Sequence, residues 1–404
     1  MNKKATSPPK SKLLYLEGLR GIAAAVVLLN HFVSAFLPAL YNGIQTEAHF
    51  KSQLELFISH SWLNIFYNGH FAVIVFFVLS GFVLSKSFYT SRDVNGISLA
   101  IFKRYFRLAI PVLFSIIFAV LLMKMNLFAN DALSKVTKSS WLAQFYSFPA
   151  IWTDALLDGV IGVFRGTSFK YNMPLWSIYF ELLGSYLVYI VCLIDIQHSL
   201  KRFFLVLIVL AFYGTYYLPF LIGLILAKLF VAGKLPIQKS FALVPVTGLA
   251  IFFGAFPAGV APGSGWYKMI FELFGGQSLL FCHTLGAGLL VLVLLMSRKL
   301  QILFGTKLLT YWGKISFSVY LTHLAVLCSF SAFAFPVIQG ILVSYWKSVL
   351  ATFLVTMPVI VIVGILFEKY VDQLALKFSG KLLSLRSNGT RVIGRTDLFG
   401  DDKN

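Results

Sequence analysis

Long apolar runs alternate with short polar, mostly basic, segments along this chain. A bilayer span needs about 20 predominantly apolar residues, and such runs fall at 14–38, 70–88, 108–124, 175–194, 241–257, 279–296, 312–335 and 347–368. The stretch 203–231 reads either as one long helix or as two short ones broken at Tyr213-Gly214-Thr215-Tyr216 and Pro219, where glycine and proline interrupt the pattern. Charge decides between them. With two helices there, both termini are cytoplasmic and 26 of the 34 Lys and Arg residues fall inside. One helix would push the basic 297–314 loop and the basic tail outside, against the positive-inside bias. The expectation is an all-α polytopic membrane protein with about ten transmembrane helices.

Composition agrees. The 404 residues are 58% hydrophobic and 12% charged, with mean hydropathy +0.83, which excludes an ordinary soluble domain at roughly 25% charged. The net charge of +19 is accounted for by topology and by attraction to anionic lipid, so no nucleic acid is called for. Cys192, Cys282 and Cys328 lie inside apolar runs and are odd in number, which argues against a disulfide framework or a spaced metal set. Lys3, Lys4, Lys10 and Lys12 precede a run too long for a signal peptide's apolar region, so it reads as a retained first span. The expected organisation is a cytoplasmic N-terminal segment (1–13), a transmembrane domain (14–370) and a basic cytoplasmic tail (371–404), disordered by its composition. Asn388-Gly389-Thr390 matches a glycosylation acceptor but falls inside. The longest outer loop, 125–174, carries Trp141, Phe145, Tyr146, Phe148 and Trp152. It is expected to pack on the membrane face or to cap a cavity.

Ionisable groups inside spans are costly and therefore functional candidates. Arg20 and His31 are eleven residues apart, which on a helix is about 20° past three full turns with a rise of roughly 16.5 Å. They share one face, Arg20 near the cytoplasmic boundary and His31 deep, with the slim Ala24 and Val27 between them. Glu181, six residues into the span that Leu175 opens, is expected at a similar depth and able to pair with His31. His283 and His323 also fall in spans, whereas His49, His60, His70 and His198 fall at or beyond interfaces. None has metal-ligand spacing in its own helix, so no metal is expected. Lys103, Arg104 and Arg107 precede Pro111 at the mouth of the third span, where they can clasp phosphates. Ser80-Gly81 breaks an otherwise aliphatic run, the glycine suiting close helix approach and the serine a bond to backbone or substrate.

Five segments in order carry a resemblance to a known family. They are Leu16-Glu17-Gly18-Leu19-Arg20-Gly21-Ile22-Ala23 with the Arg20-to-His31 interval, Phe76 to Phe82, Lys103-Arg104 with Arg107 and Pro111, Leu175-Trp176-Ser177-Ile178-Tyr179-Phe180-Glu181, and Gly313 to His323. Together they resemble the integral-membrane acyltransferase-3 family, which includes cell-surface glycan O-acetyltransferases. Glu17 stands where that family usually has Asp, Phe317 where Tyr is common, and Thr322 where an aromatic is common.

The resemblance implies transfer of an acyl group, usually acetyl, from cytoplasmic acyl-CoA across the membrane to a hydroxyl of a cell-surface or lipid-linked glycan, with a bacterial inner membrane as its setting; the sequence does not choose between this acceptor and a small secondary metabolite, or between acetyl and a longer acyl group. On that reading Arg20, Lys103, Arg104 and Arg107 hold the CoA phosphates, and the pantetheine arm threads along Ala24 and Val27. His31 is then the general base, with Glu181 orienting it. Ser80, Trp176, Ser177, His283, Tyr320 and His323 are candidates for substrate contact or oxyanion donation. A transporter or flippase for a polar lipid or small solute would also bury such charges. It leaves unexplained the one-face Arg-to-His interval joined to a basic inner mouth. A purely structural or sensory subunit has little reason to bury these groups at all.

Overall fold

The structure is a computed structural model that describes residues 13–50, 53–92, 94–197 and 201–381. The segment before Leu13, His198, and the tail beyond residue 381 with Asn388-Gly389-Thr390 lie outside the described residues. Those described are helical, with no strand among them. Seven helical stretches are long and apolar enough to cross a membrane: Leu14–Phe36, Gly69–Ser91, Leu99–Lys124, Met173–Ile194, Gly265–Met296, Lys307–Leu342 and Tyr345–Lys381. Two shorter apolar helices, Leu218–Val231 and Ser240–Gly254, accompany them.

The helices that matter for the site are α1 (Leu14–Phe36), α2 (Gly69–Ser91), α3 (Asn95–Lys124), α4 (Trp176–Gln197), α5 (Lys201–Ala211), α6 (Leu218–Val231), α7 (Val244–Gly254), α8 (Ser278–Met296), α9 (Lys307–Val326) and α10 (Tyr345–Phe367). The ambiguous 203–231 stretch folds as two helices, α5 and α6, parted by a turn in which Gly214 takes φ +71°. Helix α3 starts well before the apolar run it contains and keeps Pro111 inside it. Lys103, Arg104 and Arg107 therefore sit on turns of the helix itself and not on a flanking loop.

Close backbone approach sets the register. At Gly21 a methyl group would lie 2.8 Å from the Gly313 amide nitrogen, so α1 and α9 can touch only because both positions lack a side chain. From there the two helices run in the same direction, and ten residues further along His31 meets His323. Helix α2 runs the opposite way: Asn30 donates to the Tyr67 carbonyl at 2.8 Å and lies against Gly69. These contacts give the bundle a cationic end, with Arg20, Lys86, Arg104 and Arg107, and a histidine end.

The segment expected as an outer loop is a packed part of the molecule. Ser139 Oγ donates to the Ser34 carbonyl at 2.6 Å and the Ala129 amide to the Cys328 carbonyl at 3.1 Å, which ties residues 126–146 over the histidine end. The helix Trp152–Leu157 and the turns after it then lie along α3, with Tyr105 Oη donating to the Val160 carbonyl at 2.7 Å. Asn172 donates to the Leu321 carbonyl at 2.8 Å before α4 begins.

Candidate active site

A cavity of about 860 Å³ lies between α1, α2, α3, α4 and α9. Four cations line it: Arg20, Lys86, Arg104 and Arg107. Beyond them the wall turns apolar, with Val73, Phe76, Phe77 and Ile178, and Ser177 and Tyr320 bound it toward the histidine end. Tyr320 Oη lies 2.7 Å from the Pro174 carbonyl and 2.7 Å from Ser177 Oγ, which is 3.2 Å from that same carbonyl, so the two hydroxyls share their protons within one triangle. The helical period explains the lining. Ser80, Leu84 and Ser87 repeat on one face of α2, and Arg104, Arg107 and Leu108 on one face of α3.

Lys103 is one residue, or about 100°, off that face, and it does not line the cavity. Trp176 is likewise turned away, packing on Tyr216 with ring centroids 5.4 Å apart. Ala24 and Val27 are each 2% exposed; α1 packs on α9 so closely that no arm can thread there. That path is corrected to the cavity on the other side of Arg20.

The carboxylate partner is corrected as well. Glu181 does not meet His31; it accepts hydrogen bonds from Arg104 and Ser80 on the cavity wall. Arg104 is held further by Nε donating to Ser185 Oγ at 2.9 Å. The physical reason is that a carboxylate taken out of water pairs with a cation wherever one is in reach, and α3 supplies it. Arg107 forks onto Asp372, with Nη2 3.0 Å from Oδ2, and stands over the Phe317 ring. Arg20 is 3.4 Å from Glu17. Lys86, which the sequence offered only as one of the 26 inner basic residues, is the further cation that lines the cavity.

His31 faces His323. Its Nδ1 is 2.6 Å from His323 Nε2, and the rings are within 7° of parallel with centroids 4.9 Å apart, as expected for an in-plane N–H···N bond. Hydrogen bonding fixes which nitrogen carries each proton. His323 Nδ1 lies 2.8 Å from the Tyr320 carbonyl and 3.1 Å from that of Val319, so it must be the donor and Nε2 the acceptor. His31 therefore donates from Nδ1 and presents Nε2 as a free lone pair. In this tautomer His323 has no N–H left for an oxyanion, which corrects its role from donor to orienting partner. His323 is 2% exposed, whereas His31 is partly open and carries the Trp141 indole stacked on it at 5.2 Å and 25°.

A second histidine pair stands at the same end. His70 Nδ1 is 2.7 Å from His283 Nδ1, His283 Nε2 donates to the Phe256 carbonyl at 2.9 Å, and Tyr216 Oη is 3.1 Å from His70 Nε2. His283 is fully buried and committed to this chain of bonds, so it is not available to a substrate. His70 borders its span in the sequence and gave no signal of this pairing. Among the described residues no group of three His, Cys, Asp or Glu side chains is gathered as a metal site would require.

A family model described as "Acyltransferase domain" matches residues 13–368 of this chain. The chain belongs to the acyltransferase-3 family. Acyltransferase R4 of Phoma sp. is similar to it, 22% identical over 408 residues that cover 82% of this chain and 86% of that protein. No solved structure matches it significantly. For this membrane acyltransferase the cavity acquires a chemical meaning, because most of its family-like segments border it. Arg20, Ser80, Arg104, Ser177, Glu181 and Tyr320 all line the cavity, and His31 sits behind Tyr320 through His323, whose ring is 5.9 Å from that of Tyr320.

Proposed function

We propose that the protein transfers an acyl group, acetyl being the expected one, from acyl-CoA to an alcohol hydroxyl, with the cationic end facing the cytosol and ten helices crossing the bilayer. The observation that carries this is the cavity itself: cationic at one end, apolar along its length, and stopped by Tyr320 directly in front of the His31–His323 pair. An anionic nucleotide with a thin uncharged arm matches that gradient. The acceptor, a hydroxyl of a glycan, a lipid-linked sugar or a small metabolite, gives its proton to His31 Nε2, and its oxygen attacks the thioester carbonyl. The C–O bond forms, the C–S bond breaks, and the thiolate leaves toward the cationic end, taking up a proton from water there, while His31 returns the acceptor's proton to water and is regenerated. Tyr320 and Ser177 stand where the arm meets the histidines, and either hydroxyl reaches the developing oxyanion only by releasing the bond it makes to the Pro174 carbonyl or to its partner hydroxyl.

His323 acts here as the carboxylate does in other base-assisted acyl transfers, by holding the imidazole in one tautomer. His323→Ala is expected to lower kcat by about 100-fold while leaving the KM for acetyl-CoA within about twofold. Labelled acetyl transfer in membranes measures both. Lys86→Ala is expected to do the reverse, raising the KM for acetyl-CoA several-fold with kcat retained, and the effect should shrink at high salt because a partly solvated cation is screened. The direct test of the function is whether purified protein consumes acetyl-CoA and releases free thiol. A transporter would do neither.

A further inference from the structure

Among the described residues no carboxylate is bonded to His31, yet a base that takes a proton inside a bundle must have its positive charge stabilised. Glu181 is committed to Arg104 and Ser80. The titratable group facing His31 from α9 is His323, and it offers only a neutral lone pair. On the covering segment, Lys138 points away and donates to the Ala48 carbonyl at 3.1 Å. On α1 itself the next ionisable residue is Arg20, three turns distant. What remains against the imidazole is an indole face.

We propose that Trp141 is a positioning residue for His31, its π-face holding the imidazolium that forms when Nε2 takes the acceptor's proton. The inference rests on the acyl-transfer reading given above and deepens it at the same site. The indole lies 5.2 Å from the imidazole at 25°, within reach of a cation–π contact. Its own placement is over-determined, as a positioning element requires. Phe145 meets the indole edge-on at 4.7 Å. Asn130 donates to the Leu142 and Phe145 carbonyls at 3.1 and 2.7 Å, and Ser139 Oγ accepts from the Leu142 amide at 3.1 Å while donating to Ser34 on α1. The segment is thus clamped to the helix that carries His31, so indole and imidazole keep their spacing.

The second histidine pair is a built-in reference. His70 also donates from Nδ1 to a buried histidine, but the aromatic ring beside it is Tyr216, tilted by 55°, and no indole covers it among the described contacts. If the stacked indole stabilises charge, replacing it will move His31 and leave His70 alone.

Diethyl pyrocarbonate attacks the neutral imidazole, so the extent of modification of each histidine peptide against pH, read by mass spectrometry on the purified full-length protein in detergent, gives its titration midpoint without turnover. In Trp141→Ala the His31 midpoint is expected to fall by roughly 0.5 to 1.5 pH units, the cation–π contribution expressed in those units, and in Trp141→Phe by less. The His70 midpoint should stay in place. The acid limb of thiol release from acetyl-CoA should move in the same direction. A purely covering role would change how fast His31 is modified while leaving its midpoint unmoved in both variants, and that result overturns the proposal. If Trp141→Ala does not fold, Trp141→Phe alone decides it. Failure of the unsubstituted protein to consume acetyl-CoA and release thiol would sink the acyl-transfer reading, whereas the modification midpoints answer for Trp141 whether or not the protein turns over.

Discussion

Replacing His31 with alanine is expected to lower acyl transfer by about 10²- to 10⁴-fold, the usual worth of a positioned general base, with the KM for acetyl-CoA close to unchanged. The reasoning is geometric. His31 does not line the cavity proposed to receive the donor; it stands beyond Tyr320, bonded through Nδ1 to His323, and is itself partly open. Donor affinity should therefore survive its loss while proton abstraction does not. His31→Gln, which keeps a polar group and no base, should be as inactive as His31→Ala. Labelled acetyl transfer in membranes, with donor binding followed in parallel, checks both halves. Near-normal turnover in either variant would remove the base, and lost donor binding would put His31 inside the donor site, against the geometry described here.

The second large effect is expected on stability, at Arg104 and Glu181. Both are mostly buried, with side chains 19% and 15% exposed, and each satisfies the other. Removing one partner of such a pair leaves a charge without compensation, at a cost of about 3–5 kcal/mol when fully buried. The cavity admits water to this one, so about 2–3 kcal/mol is the expected loss for Glu181→Met or Arg104→Met alone. The double replacement Arg104→Met with Glu181→Met should recover most of that loss, because two apolar side chains need no partner. Thermal unfolding of the four proteins in one detergent closes the cycle. Simple additivity of the two single losses would show that the groups do not act as a pair.

Recovered stability should not bring activity with it. Arg104 lines the cavity proposed for the donor, beside Arg20 and Lys86, so the double variant is expected to bind acyl-CoA weakly even when fully folded. Stability and donor binding are separable here because the pair holds α3 to α4 while its cation faces the cavity.

The sequence was informative wherever the physics stays within one helix. Eleven residues put Arg20 and His31 on one side of α1, and in the structure Arg20 lines the cavity and His31 meets His323. Arg104 and Arg107 share a face for the same reason, and the helical period also shows why Lys103 leaves it. Membrane residence followed from apolar run lengths, since hydrocarbon demands that backbone polar groups be satisfied locally.

Partnership between helices was another matter. Glu181 and His31 read as neighbours because they lie at similar depth, yet depth says nothing about which helices touch. Gly21 meeting Gly313 brings α9 onto α1 and presents His323 to His31, while α3 brings Arg104 to Glu181. His70 and His283, 213 residues apart, and Trp141, in a segment that the pattern shows only as an aromatic loop, were placed the same way. The amino-acid sequence by itself determined a helical membrane protein and offered its candidate reactive side chains, because hydropathy and helical period act over a few turns; the acyltransferase family followed from the order of its motifs. Which of those side chains meet, and so which nitrogen of His31 is free to take a proton, was decided only by tertiary packing, because hydrogen-bond partners drawn from helices hundreds of residues apart are set by which backbones can approach.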